Sequence, residues 1–204
     1  MTFNAVGPLA FAPVLFSAHD GSFDAFDTGS AASNELETLA EVGNPTTLRA
    51  LIPTTADSAA STGPTAVGGS FTVTMTISDA NKYFSYVGMV LPSSDAFVGN
   101  NNPTAFDLSG LLDPSNTTPV VLDVSRIYDA GTEDNDFTNA PGGPLVGLPA
   151  GVATDGIDTP GGVITLATGD HFSTTYAGAP AAFDLTTIDP NGGNVATITI
   201  TPIP

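Results

Sequence analysis

The sequence predicts an all-β protein: an antiparallel β-sandwich with one short helix and long Gly/Pro-rich loops. Three observations carry this. Several short runs alternate apolar residues with β-branched polar ones, the period-two pattern of a half-buried strand. Turn formers separate them throughout, with 22 glycines and 17 prolines in 204 residues. Only one segment shows helical spacing. Many short strands divided by turns fold as a sandwich or barrel.

The elements follow in chain order. Met1 to Ala18 is apolar, is interrupted by Pro8 and Pro13, and has no basic start. It makes a poor signal peptide and reads as the first strand of a mature domain whose leader has been removed. Ser33-Asn34-Glu35-Leu36-Glu37 offers cap residues and early acids, with Leu36, Leu39 and Ala40 at helical spacing. Gly43 and Pro45 end this helix after about two turns. Pro53 to Gly69 is a long loop. In Phe71 to Ile77, the apolar Phe71, Val73, Met75 and Ile77 alternate with threonines, the strongest strand signal in the chain. Tyr83 to Leu91 is apolar on both faces, as a central strand is. Val120 to Ile127 alternates again, and Asn139 to Pro160 is a second long loop. Val163 to Ala167 is a short run after Gly161 and Gly162. Asp189-Pro190-Asn191-Gly192-Gly193 is a turn signal that pairs Phe183–Ile188 with Val195–Ile200 as a hairpin. Strands resume on both sides of each long loop without a change of composition, so residues 1–204 read as a single domain. A chain of this length buries about 70% of its unfolded surface without a staple.

Charge narrows the function classes. Twenty-one acids face only Arg49, Arg126 and Lys82, a net charge of −18. Nucleic acid and anionic membrane surfaces require basic residues, so both are disfavoured as partners. Cations, basic partners or a salty medium that screens self-repulsion are favoured. A high-salt habitat and secretion into calcium-rich water both account for the acidity. The absence of cysteine fits a bacterial or archaeal extracellular protein, or a cytosolic one. No stretch approaches about 18 consecutive apolar residues, so none reads as a membrane-spanning helix.

Two segments could carry chemistry. Asp129-Ala130-Gly131-Thr132-Glu133-Asp134-Asn135-Asp136 gathers acids that repel one another until a cation neutralises them. Calcium, with six to eight oxygen ligands, suits such a loop. An EF-hand fails: counted from Asp134, the required glycine falls on Asn139 and the required glutamate on Leu145. A calcium site here has to be assembled from separate loops. The second segment is Leu91-Pro92-Ser93-Ser94-Asp95-Ala96-Phe97-Val98-Gly99. Pro92 ends the central strand, Ser93, Ser94 and Asp95 can bond the exposed backbone of a turn, and Phe97 and Val98 tuck back into the core. Catalysis finds little support. His19, near Ser17 and Asp20, and His171 read as strand-end histidines, and no Gly-x-Ser-x-Gly elbow exists. A zinc site needs more His or Cys, no glycine loop is placed to hold phosphate, and no carboxylate pair stands out as a glycosidase pair. The chain therefore does not read as an enzyme.

These segments resemble the spondin N-terminal domain family, the N-domain of F-spondin and mindin. Met89-Val90-Leu91-Pro92-Ser93-Ser94-Asp95-Ala96-Phe97-Val98-Gly99 is similar to the family signature, with Ala96 where animal members carry tryptophan, as in many prokaryotic members. Tyr128-Asp129-Ala130-Gly131-Thr132-Glu133 matches the family's second motif at every position. Phe26 to Gly29, Ala32-Ser33 and Leu39-Ala40-Glu41-Val42-Gly43-Asn44 resemble its upstream pattern, and Asn194 to Ile200 its closing strand. The resemblance implies an antiparallel sandwich whose end loops hold calcium. Carried over by position, Asp95, Asp129 and Glu133 are the ligands, backbone carbonyls complete the shell, and Asp134 and Asp136 are reserve ligands or a second site. It further implies a secreted, extracellular, non-enzymatic recognition or adhesion module for a carbohydrate, matrix component or cell-surface protein. The alternative is a structural subunit of a filament, surface layer or biofilm matrix. Its self-association would run through the strand Ala196–Thr201 or the segment Phe3–Phe16, either of which could add to a neighbour's sheet edge.

Overall fold

The computed structural model describes residues 1–134, 145, 159–167 and 193–203. Three short strands occupy the apolar start: β1 (Thr2–Ala5), β2 (Ala10–Phe11) and β3 (Leu15–His19). The expected single first strand is thus broken where Gly7, at φ +81°, and the prolines 8 and 13 interrupt the extended chain. Helix α1 (Asn34–Val42) follows as anticipated: the Ser33 hydroxyl accepts the Leu36 amide at 3.2 Å, and Gly43 closes the helix at φ +67°. A one-turn helix, α2 (Thr46–Arg49), then starts at Pro45. The sequence reading missed it, because Pro45 stops α1 and also presets the first turn of the next helix.

The remaining elements are β4 (Asp57–Ala60), β5 (Ser70–Thr72), β6 (Tyr83–Leu91), β7 (Ala96–Gly99), β8 (Phe106–Asp107), a 3-10 turn (Ser109–Leu112), β9 (Val120–Val124), β10 (Ile127–Asp129), β11 (Thr165–Leu166) and β12 (Ala196–Ile200). They form two antiparallel sheets. The small sheet runs β5-β1-β12-β9; the large one runs β11-β10-β7-β6-β3-β4, with β2 and β8 also paired to β6. The all-β sandwich expected from the sequence is the observed architecture.

The sheets face each other across a phenylalanine-rich core. Phe3, Phe11, Phe16, Phe84, Val98, Ile127 and Ile198 are fully buried there. Phe3 meets Phe11 edge-on at 5.1 Å, and Phe16 stacks on Phe84 at 5.8 Å. The other face of the large sheet is covered by the helices: Leu36, Leu39, Ala40 and Leu48 pack with Leu15, Val87, Phe97 and Tyr128. Each such leucine, valine or phenylalanine side chain contributes roughly 1.5–3 kcal/mol on burial. This double covering explains why β6 is apolar on both faces. Phe84, Tyr86 and Val90 point to the small sheet, and Val87 points to the helices.

Several expected strands take different forms. Val120 to Ile127 is not one strand: Ser125 and Arg126 carry the chain from the small sheet, at β9, to the large sheet, at β10. The buried residues at each end satisfy two different sheets, which alternation alone does not reveal. Phe71 to Ile77 keeps its alternating burial, yet regular pairing stops at Thr72, with one further rung at Val73, because β1 opposes only its first residues. The segment Pro53–Gly69 is not all loop, since β4 inside it pairs with β3 through Ala59 and Ala60. Val163 to Ala167 shortens to β11. Both flanks of β12 are taken, by β1 and β9; its expected hairpin partner, residues 183–188, lies outside the described residues. Of the segments suggested as docking edges, Ala196–Ile200 of Ala196–Thr201 and the strands β1, β2 and β3 within Phe3–Phe16 are therefore paired within their own sheets.

Candidate metal centre

The turn after β6 is built by serine. Ser93 donates its hydroxyl to the Val90 carbonyl at 2.6 Å and accepts the Ala96 amide at 3.1 Å, tying the end of β6 to the start of β7. Phe97 and Val98 then enter opposite cores, as anticipated. This leaves Asp95 fully buried at the corner of the sheet. Its Oδ2 accepts the backbone N–H of Thr132 at 2.9 Å, that of Glu133 at 3.2 Å and the Thr132 hydroxyl at 3.3 Å. The Ala130 amide bonds the Asp95 carbonyl at 3.2 Å. The two sequence motifs, far apart in the chain, thus meet, and residues Ala130 to Glu133 of the acidic loop fold around Asp95.

Asp129 ends β10 opposite Ala96. Its Oδ1 accepts the Gly131 amide at 2.6 Å, an Asx turn that folds the loop back. Gly131 is at φ +69°, and a Cβ there would lie 2.7 Å from the Val163 carbonyl oxygen, so only glycine fits. Glu133 is buried. Asp134 is exposed and accepts the Thr159 hydroxyl at 3.0 Å. Asp136 lies outside the described residues, as does His171.

The structure adds Glu41, which the sequence reading quoted within a motif without giving it a role. It sits in the last turn of α1, where the helix dipole disfavours an anion and no basic residue offsets it. Its Oε1 is buried without a hydrogen-bond partner. Burial foremost, then the charges of Glu133, Glu37 and Asp95, push its carboxyl up to about 7, against a lowering hydrogen bond with Thr132. An acid at a helix C-terminus, one turn after Glu37, was the signal available in the sequence.

Three segments therefore bring carboxylates to one corner: α1 with Glu41, the β6–β7 turn with Asp95, and the loop after β10 with Glu133. Among the described residues, no group of three or more His, Asp or Glu is arranged to hold a metal ion. The chemistry nevertheless suits a hard cation. The donors are all oxygen, and one buried carboxylate oxygen, on Glu41, lacks a protein partner. A cation here would relieve that group and its neighbours together.

The histidine is arranged for structure. His19 ends β3 fully buried, with Nε2 2.9 Å from the Ser85 hydroxyl and Nδ1 accepting the Gly21 amide at 3.0 Å. Because Nδ1 accepts, Nε2 carries the proton and donates to Ser85, the reverse of what a general base needs. Ser85 also accepts the Asn100 amide at 3.1 Å and is itself buried. Burial pushes His19 below its usual value, with Asp20 opposing.

A comparison with curated proteins gave no match. The Spondin_N family model matches residues 3–143, more than half of the chain and all of the corner just described up to Asp134. The closing strand, which also resembles the family pattern, lies beyond the matched residues, although it is central to the small sheet as β12. On this match, the chain belongs to the spondin N-terminal domain family.

Proposed function

We propose that this chain is a calcium-dependent, non-catalytic recognition module that works outside the cell. The family is of an extracellular type, and among the described residues no helix is long and apolar enough to cross a membrane. The observation that carries the calcium reading is Glu41, a half-buried carboxylate with one buried, partnerless oxygen beside Asp95 and Glu133. Glu41, Asp95 and Glu133 would hold the ion, with Asp129 at the loop's entry, and backbone carbonyls would complete an oxygen shell. Calcium supplies the positive charge that these acids lack.

The chain's own residues do the rest. α1 presents Glu41 on a helix anchored by Leu36, Leu39 and Ala40, and the β6–β7 turn holds Asp95. The loop 129–133, laid over Asp95, becomes the recognition surface once its charge is neutralised. The ion then ties helix, turn and loop into one rigid corner, which lowers the ordering cost of binding a carbohydrate, matrix component or cell-surface protein. A non-catalytic role is supported by the buried, wrongly protonated Ser85–His19 pair. Titration calorimetry with calcium tests the reading. Saturable binding of calcium, with a matching rise in melting temperature, is expected; no heat and no rise up to millimolar calcium overturn it.

A further inference from the structure

The large sheet carries a hollow at β10 and β11, separate from the carboxylates of the corner. Its volume is about 430 Å³, within the roughly 300–1,000 Å³ of small-molecule sites. Tyr128 of β10 and Leu166 of β11, cross-strand partners, line it together. Thr28 and Gly29 line it from a loop that is pinned to β11: the Gly29 amide donates to the Ile164 carbonyl at 2.8 Å, and the Ile164 amide to the Ser30 carbonyl at 2.9 Å. Asn101 and Arg126 complete the lining. They come together because β7 and β10 pair Val98 with Ile127, so the chain leaving β7 runs beside the residue that enters β10. The backbone at Asn101 is held by its neighbour: the Asn100 side chain accepts the Tyr86 amide at 2.9 Å and donates to the Asn102 carbonyl at 3.0 Å.

This chain has three side-chain cations, and two are engaged. Arg49 donates Nε to the Ser58 hydroxyl at 3.0 Å and Nη2 to the Ser58 carbonyl at 2.7 Å, and the Lys82 ammonium lies 5.6 Å from the centre of the Tyr83 ring. Arg126 is exposed at the hollow and, among the described residues, makes neither an ion pair nor a hydrogen bond, although the chain has 21 acids. A guanidinium stays charged at any working pH and presents a planar fork that matches a carboxylate. The side chains of Asn101, Thr28 and Thr165 share the hollow, exposed and also without a hydrogen-bond partner among the described residues. A carboxamide and two hydroxyls can serve donors and acceptors alike. Leu166, 39% exposed, adds an apolar patch.

We propose that this hollow binds a hexuronate unit of an otherwise largely neutral polysaccharide. The carboxylate takes the fork of Arg126, the ring hydroxyls exchange hydrogen bonds with Asn101, Thr28 and Thr165, and the C–H face of the ring rests on Leu166. A single cation in a chain of net charge −18 neutralises one carboxylate, whereas a densely charged polymer is repelled. An acidic peptide supplies the carboxylate but not the ring of hydroxyls that three uncommitted polar side chains can meet. Because hydrogen bonds already fix the backbone on both sides of the hollow, little freedom is lost on binding. The proposal rests on reading the chain as a recognition module but not on calcium, since neither Glu41, Asp95 nor Glu133 lines the hollow.

The test is ligand-observed saturation-transfer NMR, in chelator, with the methyl glycoside of glucuronic acid, its methyl ester and methyl glucoside. Saturable binding of the glucuronide by about 10 mM is expected, with the ester and the glucoside at least about tenfold weaker. Arg126→Gln, at an exposed position, should melt as the wild type does and bind glucuronide and glucoside alike; Arg126→Lys should keep part of the preference. Absence of saturable binding overturns the proposal, as does equal affinity for the glucoside or an undiminished preference in Arg126→Gln. Propionate or a glutamate tripeptide binding as tightly as the glucuronide overturns the sugar assignment. Calcium titration of the same protein reads the corner separately, so either reading can fail while the other stands.

Discussion

Glu41→Gln separates a calcium centre from an ordinary acidic corner, because its two effects have opposite signs. Glutamine keeps the size of the side chain and removes one charge facing Glu133, Glu37 and Asp95. The folded-state carboxyl lies above its ordinary value, so the stability due to its protonated form is present below about pH 4.5 and lost as pH rises through about 7. The interval from 4.5 to about 7 corresponds to roughly 3 kcal/mol. The side chain is only half-buried, and solvent screening reduces this to about 1 kcal/mol. At pH 8 in chelator the variant should therefore be the more stable protein by about 1 kcal/mol. Calcium at a hundredfold over its dissociation constant should stabilise the wild type by about 2.7 kcal/mol. For a chain of this size that is a rise of roughly 5–11 °C in melting temperature. The variant should lose most of this rise. Scanning calorimetry at pH 8, with chelator and with calcium, reads both effects. A variant that is less stable than the wild type in chelator, or that keeps the full calcium rise, refutes the reasoning.

Other substitutions probe the same architecture. Asp95→Ala leaves the amides of Thr132 and Glu133 without their acceptor and should cost about 2–4 kcal/mol in chelator by urea denaturation. Asp129→Ala removes the part-buried Asx bond to the Gly131 amide and should cost less than Asp95→Ala there while reducing the calcium rise; equal costs for the two would contradict the central place of Asp95. Gly131→Ala meets a left-handed backbone and the Val163 carbonyl, so a loss of at least about 1–2 kcal/mol is expected. His19 has a folded value below its ordinary 6.5, so its stability is present above about pH 6.5 and lost as pH falls. A second ring proton has to displace the Gly21 amide from Nδ1. Melts from pH 7.5 to 5 should fall more steeply for the wild type than for His19→Gln, and parallel curves would show that His19 is not responsible.

The sequence by itself determined the sandwich, the capped helix α1, the central strand β6 and the two motifs that build the corner. These are local signals: period-two alternation, a serine cap with a glycine stop, and a proline-serine turn all act within a few residues. It also singled out Asp95 and Glu133 as candidate residues, and the structure brings them into one loop system through the Thr132 and Glu133 amides. Only the tertiary structure decided how strands were shared between sheets. Val120 to Ile127 reads as one alternating run, but which partner each half meets depends on strands distant in the chain, and so it divides into β9 and β10. The same holds for Phe71 to Ile77, whose pairing ends where β1 ends, and for Ala196–Ile200, a sequence fit for an edge that is enclosed by β1 and β9. Glu41 is the clearest case at the site. Its position late in α1 is visible in the sequence, but its burial against Asp95 and Glu133 arises only when the helix packs on the back of the large sheet, because charge proximity across chain-distant segments is a property of packing.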